Sequence, residues 1–350
     1  MKKLLFILLF SPLLTMAQKT YVPDNSFEYY LESNNMGDGI SYNDSVWTSA
    51  IESVTLLFVE NLGIVSLEGI EDFTALKKLY ASYNGMMTSL DLSQNINLEE
   101  LALYNNSLTS LDLSNNINLI SASVSHNYLT SLNISGCSSL VGIACDYNLL
   151  TTLDASGLSN LKNLHCIANN ISNLNITGCI ALEQLRNGGN NQNTIDVSTN
   201  INLKEILCGM DSLTHLDVSS CPNLKNNSTS FYHGVYCGMN NKLTYLNLQN
   251  GDPIGPYAGA QNTPNLTCVQ VNDVAYANAN FTDFDNGVYF DTYCPPYVAV
   301  EEETIEEEIL KDRTLVRIVD ILGRETKAVH NTLLLYIYDD GSVEKKVIID

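Results

Sequence analysis

Apolar residues recur along this chain with a period far longer than that of a helix or a strand. The segments SLDLSQN, SLDLSNN, SLNISGC, TLDASGL, NLNITGC, TIDVSTN and HLDVSSC follow one another down the chain. Their central residues Leu90, Leu111, Leu132, Leu153, Leu174, Ile195 and Leu216 each stand 21 residues after the last. A fixed interval of that length is the mark of stacked coils. Between these refrains runs a second pattern, seen as Leu98, Leu101, Leu103, Asn106, Leu108 and again as Leu161, Leu164, Cys166, Asn169, Ile171. Alternate residues of a strand face opposite sides, so its L-x-L pairs point inward and the intervening residues outward. Each coil therefore predicts two short parallel strands, one in the L-x-L segment and one in the refrain.

The turn after each strand leaves backbone groups to satisfy, and an inward Asn amide can both donate and accept there. One such ladder is expected at Asn84, Asn106, Asn127, Asn148, Asn169 and Asn190, continued by Asp211 and Asn241. A second runs through Asn95, Asn116, Cys137, Leu158, Cys179, Asn200 and Cys221. Its three cysteines, and Cys145, Cys166 and Cys208 at inward L-x-L positions, are expected to stay unpaired as small apolar side chains.

The L-x-x-L-x-L-x-x-N-x-L pattern is that of the leucine-rich repeat. The fold class expected is an α/β-type repeat solenoid, mostly β, with two short parallel strands per 21-residue coil, capped at both ends. Residues 18–50 read as the N-terminal cap, opening on a short helix at Asp24-Asn25-Ser26 that carries Phe27, Tyr30 and Leu31. Residues 51–265 hold the repeats, and 266–295 form a C-terminal cap that breaks the period. A Cys268–Cys294 disulfide is expected to close that cap, with Cys237 as the competing partner.

The segment after the cap changes character. Residues 296–308 include VEEETIEEE, an acidic linker, and 309–350 alternate like antiparallel β-structure with a turn at Asp339-Asp340-Gly341. The stretch VDILGRE…YIYDDGSVEKK is similar to the C-terminal sorting domain of the type IX secretion system of Bacteroidetes. That resemblance implies passage across an outer membrane through secretion machinery. Residues 18–295 resemble secreted leucine-rich repeat proteins of the same bacteria, internalin-like in style, which implies binding or adhesion at the cell surface or in the medium. Met1-Lys2-Lys3 followed by LLFILLFSPLLTMA reads as a signal peptide over 1–17, too short for a membrane span. No later stretch approaches the length of a spanning helix.

Charge narrows the partner class. The formal net charge is −22, which excludes a nucleic-acid partner because no basic stripe is present to neutralise phosphates. The nine cysteines and five histidines form no metal-binding motif, and no cofactor is implied. The outward refrain row Asp91, Asp112, Asn133, Asp154, Asn175, Asp196, Asp217 and Asn247 offers too few oxygens for calcium. Its expected role is local, bonding turn amides.

Candidate recognition residues lie where the chain stops repeating itself. Tyr80, Tyr104, Asn163, His165, Gln184, Arg186 and Glu205 give the outward L-x-L face its variety. Two insertions, within 225–236 and at 251–262, should emerge on one edge of adjacent coils and bring Phe231, Tyr232, His233, Tyr236 and Tyr257 there. The expected work is recognition of a protein or glycan ligand by a monomeric, non-enzymatic scaffold. His165, Arg186 and Asp146 lie close in register, but no nucleophile motif accompanies them. A polysaccharide-processing enzyme of parallel β-helix type and a purely structural surface component are the alternatives.

Overall fold

The computed structural model describes residues 18–224, 234–252, 258–294, 315–319, 324–327, 333–339 and 343–347. Residues 1–17, expected as a signal peptide, residues 296–308, expected as a linker, and Phe231, Tyr232, His233 and Tyr257 lie outside the described residues. The chain falls into two units, Met1–Tyr297 and Val298–Asp350.

The first unit is a parallel leucine-rich repeat solenoid. Its front sheet has ten strands, Leu56–Phe58, Lys78–Tyr80, Glu100–Ala102, Ser121–Ser123, Gly142–Ala144, Asn163–His165, Gln184–Arg186, Glu205–Leu207, Gly234–Tyr236 and Ala258–Gly259. Every pairing is parallel and in register, so Leu164 faces Leu185 and Ile143 on its two sides. The middle residue of each strand is buried: Leu57, Leu79, Leu101, Ala122, Ile143, Leu164, Leu185, Ile206 and Val235 form one continuous column. Each buried Leu or Ile there contributes about 1.5–3 kcal/mol.

The refrain strands pair less completely. Ser110–Asp112 pairs with Ser131–Asn133, and Thr152–Asp154 pairs with Asn173–Asn175. A four-stranded sheet runs through His215–Asp217, Tyr245–Asn247, Cys268–Gln270 and Tyr289–Asp291. The coils at Leu90 and Ile195 carry no refrain strand, so two strands per coil is the rule only for part of the stack.

Both Asn ladders form. Asn127 Nδ2 donates to the carbonyls of Leu103 and Val124, and Asn127 Oδ1 accepts the N–H of Leu108 at 3.0 Å. The rung after Asp211 is Asn240, not Asn241. Asn240 is fully buried and bonds the Cys208 and Cys237 carbonyls, while Asn241 is exposed. The front strands pair Leu207 with Tyr236, 29 residues on, whereas the refrain pairs Leu216 with Leu246, 30 residues on. One residue of the insertion therefore falls after the front strand, which moves the rung back by one.

Caps cover both ends, as an open stack requires. The N-terminal helix Asn25–Ser33 is capped by Asp24, whose Oδ1 accepts Ser26 and Phe27 N–H. The other Asp24 oxygen accepts Val65 and Ser66 N–H at 2.7 and 3.0 Å, tying the cap to the first coil. Phe27 and Leu31 are buried from the helix, and Phe27 stacks on Phe73 at 6.1 Å. Asp38 serves the local turn: its carboxylate takes Lys19 Nζ, Asn43 Nδ2 and Ile40 N–H. At the other end, helix Val274–Asn280 and the rings of Phe281, Phe284 and Phe290 close the core. Cys268 and Cys294 are disulfide-bonded with a Cα–Cα distance of 5.8 Å. The other seven cysteines are free and buried.

The second unit contains a three-stranded antiparallel sheet, Leu315–Val319, Leu333–Tyr338 and Val343–Val347.

Candidate binding surface

The third residue of each front strand points outward, and in-register pairing turns these residues into a row: Phe58, Tyr80, Ala102, Ser123, Ala144, His165, Arg186, Leu207 and Tyr236. Successive members stand ~4.8 Å apart. Just beyond these strands the backbone turns through a left-handed residue before the buried ladder rung, an Asn or, at 211, an Asp. Tyr83, Asn105, His126, Tyr147, Ala168, Met210 and Met239 occupy that position, with φ between 54 and 61°. Asn tolerates this conformation, but Tyr and His adopt it at a cost. The buried rung holds the backbone there and leaves the side chain outside.

The sequence candidates fall into separate places on this face. Tyr80 and Tyr104 belong to an aromatic end. Phe58 and Tyr80 lie 5.9 Å apart between centroids, and Tyr83 meets Tyr104 edge-on at 4.8 Å. Phe58 and Tyr83 are 54% and 50% exposed, so these rings face solvent. Tyr80 donates to Glu100 Oε2, and the other Glu100 oxygen takes Lys78 at 2.7 Å. Glu100 is held below the usual carboxylate range by the hydrogen bonds from Lys78 and Tyr80.

Asn163, His165, Gln184, Arg186 and Glu205 come together three strands further on, across the small residues of the intervening row. Arg186 Nε binds Glu205 Oε1 at 2.6 Å, and Glu205 is buried although it lies on the outward side. Burial lowers the His165 pKa, with the Arg186 charge adding to the effect and the Asp146 and Glu205 charges opposing it. Burial raises Asp146, opposed by the Ile167 N–H that donates to it at 2.7 Å. The constellation is polar and partly desolvated.

Tyr236 ends the row. Its ring lies over Gly209, Gly238 and Gly259, where an added Cβ would meet it at 3.1–3.2 Å. The glycines are therefore the floor on which this tyrosine rests. Phe231, Tyr232, His233 and Tyr257 lie outside the described residues.

Tyr83, His126 and Tyr147 join this face without being among the sequence candidates. His126 stacks on Tyr147 at 4.5 Å with 10° between the planes, extending the aromatic strip along the turn. The signal is present in the sequence: each stands immediately before a ladder Asn. The refrain's Asp row serves the backbone, since Asp91, Asp112, Asp154, Asp196 and Asp217 each accept the N–H two residues on at 2.8–2.9 Å. The Ser114 and Ser198 hydroxyls, with those N–H groups, hold Asp112 and Asp196 below the usual carboxylate range, and the Ser156 N–H, with its hydroxyl, does the same for Asp154.

The chain matches no protein-family model and no curated protein. Among solved structures it is similar to the functional domain of InlJ from Listeria monocytogenes, described as including a cysteine ladder. Identity there is 22%, covering 79% of this chain and 72% of that one, with a TM-score of 0.37. An internalin C2 of the same organism gives 22% identity over 59% of this chain and 93% of that one, TM-score 0.46. The leucine-rich effector YopM of Yersinia pestis gives 20% over 71% and 76%, TM-score 0.45. All are leucine-rich repeat proteins, the class to which the coil geometry assigns this chain. No helix among the described residues is long and apolar enough to cross a membrane.

Proposed function

We propose that the protein is an exported, non-enzymatic recognition scaffold whose front sheet binds a protein or glycan at the cell surface or in the medium. The observation that carries this reading is the contrast between the two sides of the coil. Refrain residues are monotonous and spend their polar groups on their own turns, whereas the front row varies from coil to coil and presents exposed rings and charges. In a solenoid, such variation on one continuous face is the means of recognition. Tyr80, Tyr104, Asn163, His165, Gln184, Arg186, Glu205 and Tyr236 are the contact residues, with Phe231, Tyr232, His233 and Tyr257 of the inserted segments as further candidates.

The signal segment 1–17 and the domain 309–350 serve export through type IX machinery in a Bacteroidetes host. The cap, repeat and linker boundaries follow as 18–50, 51–265, 266–295 and 296–308. A glycan and surface-protein array probed with the exported chain is the test. Saturable binding lost on Arg186→Ala or on deletion of 226–234 supports the reading. A blank array would sink it in favour of a structural spacer.

A further inference from the structure

At the first coils the front face carries a carboxylate set among rings. Glu60, Ser82 and Tyr104 occupy one column, the position two residues beyond the strand in three successive coils, as the bonds from Asn61 N–H to the Ser82 carbonyl and from Tyr83 N–H to the Tyr104 carbonyl require. Phe58 and Tyr80 flank this column on the strand side, and Tyr83 flanks it on the turn side. The Tyr80 and Tyr104 hydroxyls titrate above the ordinary phenol range. The chief causes are their hydrogen bonds to Glu100 and to Tyr83, and the Glu60 charge, near both, adds to the shift.

One buried group here is unsatisfied and one carboxylate has no counter-charge among the described residues. Ser82 is fully buried between Glu60 and Tyr104, and its Oγ has no hydrogen-bond partner. Glu60 makes no ion pair or hydrogen bond among the described residues. The adjacent lysines are committed elsewhere, Lys77 to Glu99 and Lys78 to Glu100, both at 2.7 Å. The cluster therefore presents an unneutralised carboxylate and several electron-rich ring faces on a chain whose net charge is −22. An electron-rich ring attracts a cation within about 6 Å of its centroid, and the attraction grows when the site is desolvated.

The geometry points to this cluster as a receptor for a lysine or arginine side chain of a partner protein, with Glu60 pairing the charge and Tyr80, Tyr83 and Tyr104 stacking on it. This rests on the reading of the front sheet as the recognition surface and adds the chemistry of the partner. A neutral glycan would use the rings but would leave the Glu60 charge unanswered.

The test is fluorescence anisotropy of the full chain with a fluorescein-labelled three-lysine peptide, its three-glutamate counterpart and a labelled neutral cello-oligosaccharide. The lysine peptide should bind saturably and the other two should not. Tyr104→Ala should weaken it about tenfold, the size expected when a partly desolvated cation–ring interaction is removed, and Glu60→Gln, which removes the paired charge, should weaken it about threefold. Asp196→Asn removes the same charge from the refrain face and should change nothing. If Asp196→Asn and Glu60→Gln weaken binding equally, the peptide senses net charge alone and the site is overturned. Oligosaccharide binding abolished in Tyr104→Ala but kept in Glu60→Gln overturns it in favour of a glycan. Peptide binding that survives Glu60→Gln but fails in Arg186→Ala overturns this site while leaving the front sheet as the recognition surface.

Discussion

The two Asn ladders differ in what they ask of each rung. In the front ladder the amide works in both directions: Asn148 donates to the Val124 and Cys145 carbonyls and accepts Leu129 N–H. In the refrain ladder only donation is used. Asn116 donates to the Leu92 and Asn95 carbonyls, and the Oδ1 atoms of Asn95, Asn116 and Asn200 have no partner. A thiol can donate weakly but is a poor acceptor for an N–H. Cys137 Sγ reaches the Leu113 carbonyl at 3.2 Å and Cys179 Sγ the Ala155 carbonyl at 3.0 Å, standing in for the amide. This explains why cysteine enters the refrain ladder and not the other. Burial pushes the Cys137 and Cys179 thiols up to about 11 and Cys221 to about 12, so they stay protonated donors. Asn127→Cys should therefore destabilise by about 1–3 kcal/mol, because Leu108 N–H is left buried without an acceptor. Asn116→Cys should cost clearly less. Denaturant titration of the two variants checks this, and equal losses would refute the asymmetry.

Among the elements, front strands are readable in the sequence because an inward apolar residue repeats at strand alternation in every coil. The refrain promises more strands than the chain makes, because its apolar spacing continues through coils that do not pair. Leu90 and Ile195 keep the 21-residue period but lack strand pairing. Outward positions are harder still to read, since periodicity reports what is inside the coil and says little of what projects from it. Tyr83, His126 and Tyr147 project from a left-handed turn residue, a feature of backbone conformation that apolar spacing does not record. The Asn240 rung shows the same limit: an insertion split around a strand shifts one ladder relative to the other. At the C-terminal cap, the short strand Tyr289–Asp291 is held by pairing to Cys268–Gln270, by the phenylalanine cluster and by the Cys268–Cys294 bond. That bond closes a separation of 26 residues, for which the chain-entropy estimate is about 3.5 kcal/mol. Replacing both cysteines with serine should lower Tm and open the cap to protease ahead of the stack. An unchanged digestion pattern would mean the rings alone hold it.

For the whole molecule, stability is approximately the sum of coil and interface contributions, so the weakest interface decides where the stack opens first. That interface lies at residues 187–211. The inward column that reads Val124, Cys145, Cys166 becomes Asn187 before returning to Cys208 and Cys237, and the neighbouring column Leu129, Leu150, Ile171 becomes Gln192 before Leu213. Asn187 Nδ2 bonds Gln192 Oε1, but Asn187 Oδ1 is buried without a partner. The refrain sheet breaks in the same coil. Asp211 replaces the amide rung with a carboxyl: it accepts Asn190 N–H at 2.8 Å, and its other oxygen has no donor. Burial raises its pKa to about 7, opposed by the Asn190 and Gln192 N–H groups. A carboxyl whose folded pKa lies above its unfolded value of 3.8 holds a proton that the unfolded chain has released. Its stabilising contribution is complete below that lower value, declines as pH rises to about 7, and is gone above it. The loss is on the order of 2 kcal/mol after discounting for the part of the group that still meets water. Asp211→Asn restores a permanent donor, so its Tm should match wild type at pH 4 and exceed it at pH 8. Hydrogen exchange, corrected for intrinsic rates, should find amides of 187–211 opening before either flank, more so at pH 8 than at pH 5 in wild type and equally at both in the variant. Uniform protection along the stack, or a pH response that Asp211→Asn leaves intact, would show that the polar coil is not where this solenoid divides.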